Sequence, residues 1–227
     1  MLLWEDIVVN MEKKITGADY LYLALYAFAG IGLELILVGI IEPIFGVSLE
    51  TYTTLQNIIH WIVICIIWLF VGILLITLAK KKYDFNLWEQ RSKLKGWQYL
   101  GIIICLVVSI ASHYLDWGGF KPLLEFQRLG ALKFIFQYIY YFFEAFLISL
   151  IVIFGQKACE KWFKNEVIPY GGIVLALTWG LMHIVSKGSI SVGLLSAFGG
   201  FLYGAAYLIV GKDYRKALPL MSLMFIL

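Results

Sequence analysis

Six long apolar stretches recur along the chain, at residues 20–41, 58–79, 97–115, 134–155, 168–185 and 189–210, each about the length a hydrocarbon core requires. More polar stretches separate them, and all but the first of these carry lysine. The period-2 alternation of half-buried strands is absent, so the pattern predicts α-helices that satisfy their own backbone groups. A seventh apolar stretch, residues 217–227, is too short for a full span and reads as a half-span, a re-entrant piece or a helix ending within the membrane. The expected fold is an all-α, polytopic transmembrane helical bundle of about six full spans plus a short C-terminal apolar helix, with residues 1–227 forming a single membrane domain.

Composition agrees with that pattern. Hydrophobic residues make up 62% of the chain and charged residues 15%, and the mean hydropathy is +0.86, well above that of a soluble domain. The first twenty residues carry Glu5, Asp6, Glu12 and Asp19 without an early apolar run, so they do not read as a cleaved signal peptide.

Lys and Arg are distributed unevenly. Lys13, Lys14, Lys80, Lys81, Lys82, Arg91, Lys93, Lys95, Lys157, Lys161, Lys164, Lys212, Arg215 and Lys216 fall on one side of the predicted topology, against Lys121, Arg128, Lys133 and Lys187 on the other. The positive-inside rule puts the N-terminus in the cytoplasm. The net charge of +3 sits in juxtamembrane loops, which favours anionic lipid headgroups as partners, and no nucleic-acid motif is present. The segment KKKYDFNLWEQRSKLKGW carries Phe85, Leu87, Trp88 and Trp97 among its basic residues. It reads as an ordinary cytoplasmic loop or as a short amphipathic helix lying along the interface. Cys65, Cys105 and Cys159 lack CxxC spacing and suggest neither a disulfide framework nor a zinc site.

Against this background two ionisable residues stand out. Glu144 lies within YIYYFFEAFLISLIVIFG and His183 within GGIVLALTWGLMHIVS, where a charge is costly to bury and marks a candidate site. Gln137, Tyr141 and Glu144 share one face of the fourth helix at i, i+4 and i+7. Counted from the cytoplasmic ends of their helices at ~1.5 Å per residue, Glu144 and His183 lie about 16 to 21 Å deep, so adjacent helices would bring them together. Such a carboxyl–imidazole pair acts either as general base and acid on a water molecule or as a hydrogen bond that fixes helix packing. Small residues mark close helix contacts: Ser196, Gly200 and Gly204 in the sixth span, and Gly172, Ala176 and Gly180 in the fifth, with His183 continuing that face.

The run FFEAFLISL, then LTWGLMHIVSKGS, then LLSAFGGFLYGAAYLIVGK and KALPLMSLM, resembles the core of the CPBP family, the CAAX-protease and bacteriocin-processing (Abi) intramembrane proteins, over about residues 134–227. The family's motifs read EExxxR, FxxxH, and HxxxN or HxxxD. Trp179 and His183 match the second with Trp for Phe, and Gly180 and Gly188 fit its surroundings. Glu144 matches one of the paired glutamates; Ala145 follows it and no arginine comes within the next turn. Pro219 resembles the proline before the third motif, but Leu223 stands where its histidine would fall and Leu227 where its Asn or Asp would.

The resemblance implies a glutamate-activated water attacking a peptide carbonyl of a membrane-embedded or lipidated peptide, with Glu144 as general base and His183 as catalytic partner or oxyanion donor. Prenylated CAAX peptides, bacteriocin leaders and other membrane helices all suit such a cavity. Loss of an oxyanion donor costs a factor of about 100 to 1000 in rate, so other residues would have to substitute for the distal histidine. Glu34, deep in the first span, is a candidate acid, metal ligand or interhelical hydrogen-bond former with Tyr22, Gln137 or Tyr141. His60 and His113 lie near span ends and read as interfacial. No cofactor is expected: one Glu and one His supply two ligands, whereas a catalytic zinc takes three, so a metal would need Glu34 or another residue. Two other functions remain open. One is an inactive scaffold or immunity protein of the same fold that binds a peptide or partner helix; the other is a small transporter using Glu34, Glu144 and His183 as a proton relay. The expected location is the plasma membrane of a bacterium or archaeon.

Overall fold

The computed structural model describes residues 15–227, so the readings resting on Glu5, Asp6, Glu12, Lys13 and Lys14 fall outside the described residues. Every regular element in it is helical. Helix α1 spans Gly17–Ile44, and the Asp19 carboxylate caps its start by accepting from the backbone N–H and hydroxyl of Thr16, both at 2.8 Å. Helix α2 is Thr54–Tyr83, begun by Thr53, whose hydroxyl accepts from the Gln56 N–H. Helix α3 is Gly96–Trp117 and α4 is Lys121–Phe163. Helix α5 occupies residues 170–187 in three pieces, Tyr170–Leu175, a π turn at Ala176–Gly180, and Leu181–Lys187. Helix α6 is Ile190–Ile209 and α7 is Tyr214–Ile226.

Five of these helices, α1 to α4 and α6, are long and apolar enough to cross a membrane. The fifth predicted span is helical from Tyr170 onward, but the π turn divides it. The larger departure is in α4. Residues 121–133 read as a loop, yet they are helical except at Gly130, whose φ of 71° and ψ of 166° reverse the chain. A positive φ of this kind is easily reached only by glycine. The outer arm, residues 121–129, therefore folds back beside the long arm, residues 131–163, and carries Lys121 and Glu125 into the bundle.

The long arm of α4 is the axis of the fold. Residues 147–155 are buried without interruption, as a helix surrounded on all sides must be. Helices α1, α2, α5 and α7 pack around it. Trp68 of α2, fully buried, donates its indole N–H to the Gly30 carbonyl of α1 at 3.0 Å. The outward faces carry a belt of exposed apolar side chains, among them Ile66, Phe70, Ile103 and Val107. In water so large a patch would drive association; beside lipid it is the expected surface. Between apolar helices in lipid, cohesion comes from close packing. Helices α5 and α6 achieve it through glycine. A Cβ on Gly172 would lie 2.9 Å from the Gly204 Cα, and one on Gly180 would lie 2.5 Å from the Ala197 Cα. The π turn adds one residue to the helical repeat, so Gly172 and Gly180, eight apart, face α6 as residues seven apart would. The expected stripe of Gly200 and Gly204 is thus in contact, and Ala197, beside Ser196, is the residue that meets Gly180.

The end of the bundle where α2 and α4 finish gathers the basic residues. Residues 84–95 form no helix along the interface. Their loop is docked on the α6–α7 turn, with Leu87 buried and Trp88 edge-on to Tyr214 at 4.8 Å. Asp213, the N-cap of α7, organises that contact. Its carboxylate accepts from the Ser92 N–H at 3.2 Å, from the N–H and Nε of Arg215 at 3.2 Å each, and from the Lys216 ammonium. Burial alone would raise its pKa, but these donors outweigh it and hold the carboxyl at about 2, below the ordinary 3.8. A depressed carboxyl stabilises the fold above its ordinary value and loses that contribution as pH falls from about 4 toward 2. Asp213→Ala is expected to cost about 2 kcal/mol near neutral pH, and in thermal unfolding the gap to wild type should close between those two pH values.

Candidate functional site

Three polar clusters branch from the half of α4's long arm nearer Gly130, opposite the basic end. The first holds Glu144. The Trp179 indole N–H donates to Glu144 Oε1 at 3.0 Å, and the Trp179 backbone carbonyl lies 2.8 Å from His183 Nδ1. A carbonyl only accepts, so Nδ1 carries the hydrogen and neutral His183 has its lone pair on Nε2. The two rings are 4.4 Å apart. Glu144 and His183 thus each touch the same tryptophan, which orients the carboxylate through its side chain and the imidazole through its backbone, without a direct hydrogen bond between the two. Lys121 and Lys187 attract the Glu144 charge and Glu34 repels it. From α7 the neighbour of Trp179 is Phe225, with ring centroids 5.8 Å apart.

Gln137 and Tyr141 share the Glu144 face of α4, as their spacing predicts, but they serve a different carboxylate. Tyr141 donates to Glu125 Oε1 at 2.6 Å and the Gln137 amide donates to the same oxygen at 3.1 Å. The reversal at Gly130 brings Glu125 alongside them, and it is fully buried. Lys121, only 5% exposed, donates to the Phe225 carbonyl at 2.7 Å and lies over the rings of Tyr141 and Phe225. A lysine counted as a loop residue is instead a buried cation, whose charge is stabilised by a carbonyl, two aromatic faces and the nearby carboxylates.

The third cluster is built on His60, near the start of α2, which is 4% exposed and enclosed by protein groups. Its Nε2 lies 3.2 Å from Glu34 Oε1 and its Nδ1 2.8 Å from Glu42 Oε1. Tyr140 of α4 donates to both oxygens of Glu34, at 3.1 and 2.9 Å, and Tyr52, from the α1–α2 loop, donates to Glu42 Oε2. Glu34 is therefore held by His60 and Tyr140 rather than by Tyr22, Gln137 or Tyr141. A second π turn, Leu37–Ile41, lies between the two glutamates. It brings residues eight apart onto one face, and without it Glu34 and Glu42 would diverge by about 80°. His113, near the end of α3, belongs to none of these clusters. It is half-buried, and its Nδ1 is shielded without a hydrogen-bond partner.

Sequence reasoning missed Glu42, Tyr52, Tyr140, Lys121 and Glu125. For Glu42 a signal existed: a second carboxylate two helical turns beyond Glu34. Lys121 and Glu125 offered none, because only the Gly130 reversal makes them internal. As for metals, no group of three His, Cys, Asp or Glu side chains is placed to hold an ion among the described residues. In the His60 cluster each glutamate takes a different ring nitrogen, so the three groups do not converge on one point. No family model, curated protein or solved structure matches the chain.

Proposed function

We propose that the chain is a divergent CPBP-type intramembrane hydrolase that cleaves a membrane-embedded or lipidated peptide, with its basic end in the cytoplasm of a bacterium or archaeon. The observation that carries this reading is the placement of Glu144 and His183 on Trp179, the aromatic residue of the WxxxH sequence. Glu144 takes a proton from a water molecule as the water oxygen bonds to the peptide carbonyl carbon, and the carbonyl electrons move to oxygen. The proton then passes to the leaving amine as the C–N bond breaks. With Nδ1–H tied to the backbone, His183 offers Nε2 to accept a hydrogen bond from that water. The Lys121 and Lys187 charges favour an anion near Glu144.

A specific observation favours a second reading, a peptide-binding scaffold without catalysis: α7 presents Phe225 to Trp179 where the family's third motif would supply polar groups. Purified protein in proteoliposomes, offered a reporter transmembrane peptide, distinguishes the two. Cleavage lost in Glu144→Gln and His183→Ala supports the hydrolase; binding that survives both changes, with no cleavage by wild type, supports the scaffold. Trp179→Phe keeps a ring but deletes the donor to Glu144, and is expected to lower the cleavage rate about 10-fold, the value of roughly one hydrogen bond to a charged group.

A further inference from the structure

We propose that Glu34, His60 and Glu42 form a proton-binding site, inferred from their own geometry without resting on the proposed peptide cleavage. The triad's contacts need more hydrogens than a neutral imidazole supplies. His60 faces a carboxylate oxygen with each ring nitrogen, at 3.2 Å toward Glu34 and 2.8 Å toward Glu42. Each contact needs one hydrogen between its two atoms, because a nitrogen lone pair and a carboxylate lone pair repel. A neutral imidazole carries only one N–H. The surrounding hydroxyls do not supply the other: the Tyr140 hydrogen is directed at Glu34, at 2.9 and 3.1 Å, and the Tyr52 hydroxyl is directed at Glu42 Oε2. Tyr52 also lies 3.3 Å from His60 Nδ1, where with its own hydrogen committed to Glu42 it only accepts.

The triad in this geometry therefore holds two protons among three groups, either as an imidazolium between two carboxylates or as a neutral imidazole beside one carboxylic acid. Both forms carry a net charge of −1. Removing one proton sets two lone pairs against each other around the buried His60 ring, so the second proton is bound by the geometry itself. The groups facing the triad come from each element around it: Tyr52 from the α1–α2 loop, Cys65 from α2, and Tyr140 and Glu144 from α4. Cys65 and Glu144 act on the Glu34 charge without a direct bond. Among the described residues, His60 is the basic side chain that pairs with either glutamate. No lysine or arginine among them satisfies these carboxylates in place of the proton. The π turn at Leu37–Ile41 is what lets α1 hold His60 from both sides.

The test uses the full chain in lipid nanodiscs. The protein has three histidines, so nitrogen NMR of histidine-labelled protein resolves His60 as the signal lost in His60→Gln. At neutral pH the proposal expects either protons on both ring nitrogens of His60, or one N–H together with an infrared band of a protonated carboxylic acid that disappears in Glu34→Gln or Glu42→Gln. Titration to alkaline pH with an indicator dye is expected to release one proton per protein from this site, and that release should be absent in His60→Gln. Should His60→Gln fail to fold, Glu34→Gln, which keeps an acceptor for Tyr140, replaces it in the dye titration. A singly protonated His60 with no protonated carboxyl at neutral pH overturns the proposal. So does proton release unchanged in a folded His60→Gln or Glu34→Gln variant.

Discussion

Glu144→Gln is expected to lower the cleavage rate of a membrane reporter peptide by a factor of about 100 to 10,000, the usual contribution of a positioned general base. The change is nearly isosteric. The amide introduced would still offer a carbonyl oxygen to the Trp179 indole, now 3.0 Å from Glu144 Oε1, so packing between α4 and α5 survives and only the ability to take a proton is lost. The unfolding midpoint should therefore move little while the rate collapses. If the rate stays within about 3-fold of wild type, Glu144 is not the base and the hydrolase reading fails. His183→Ala is expected to fall less steeply, because the Nε2 acceptor is lost while the carboxylate remains.

The second large effect is on folding. A Cβ on Gly171 would overlap the Val152 carbonyl oxygen, on the backbone of the central helix. No rotamer change relieves a clash with a backbone, so Gly171→Ala must push α5 away from α4. Overpacking of this kind costs about 1–3 kcal/mol or more, and here it also strains the hydrogen bond from the Gly171 N–H to Gln156 Oε1, 2.9 Å long. Because α5 carries both Trp179 and His183, the same change should reduce activity in the fraction that folds. Gly199→Ala is the matched control. Nothing lies within 4 Å of a Cβ at Gly199, and alanine in a helix interior is favoured over glycine by roughly 0.5–1 kcal/mol. Unfolding in mixed detergent micelles should show Gly171→Ala strongly destabilised and Gly199→Ala unchanged or slightly stabilised. Equal effects at the two positions would mean that the α4–α5 contact is not the close approach seen here.

Much of this architecture is legible in the amino-acid order. Apolar length predicts helices that coincide with α1, α2, α3 and α6 to within a few residues, because a helix in lipid must satisfy its own backbone and cannot be shorter than the layer it crosses. The glycine faces of α5 and α6 are legible for a similar reason: a small side chain every fourth residue has little use except close contact. Glu144 and His183 are visible as ionisable exceptions in apolar runs.

The partners of those residues were not legible, and the reason lies in two kinds of local break in helical periodicity. A π turn and a glycine reversal each involve few residues, and neither leaves a hydropathy signal. The reversal at Gly130 turns a short polar stretch into buried structure and transfers Gln137 and Tyr141 from Glu144 to Glu125. The turn at Leu37–Ile41 rotates Glu42 onto the face of Glu34 and makes His60 a buried link between them. The one at Ala176–Gly180 keeps Gly172 and Gly180 on the same face against α6. Sequence alone determined which residues are too polar for their surroundings, since transfer cost depends on residue type and apolar context. Which of them meet was decided by the tertiary structure, because contact depends on the phase of each helix, and a single inserted residue shifts that phase by about 100°.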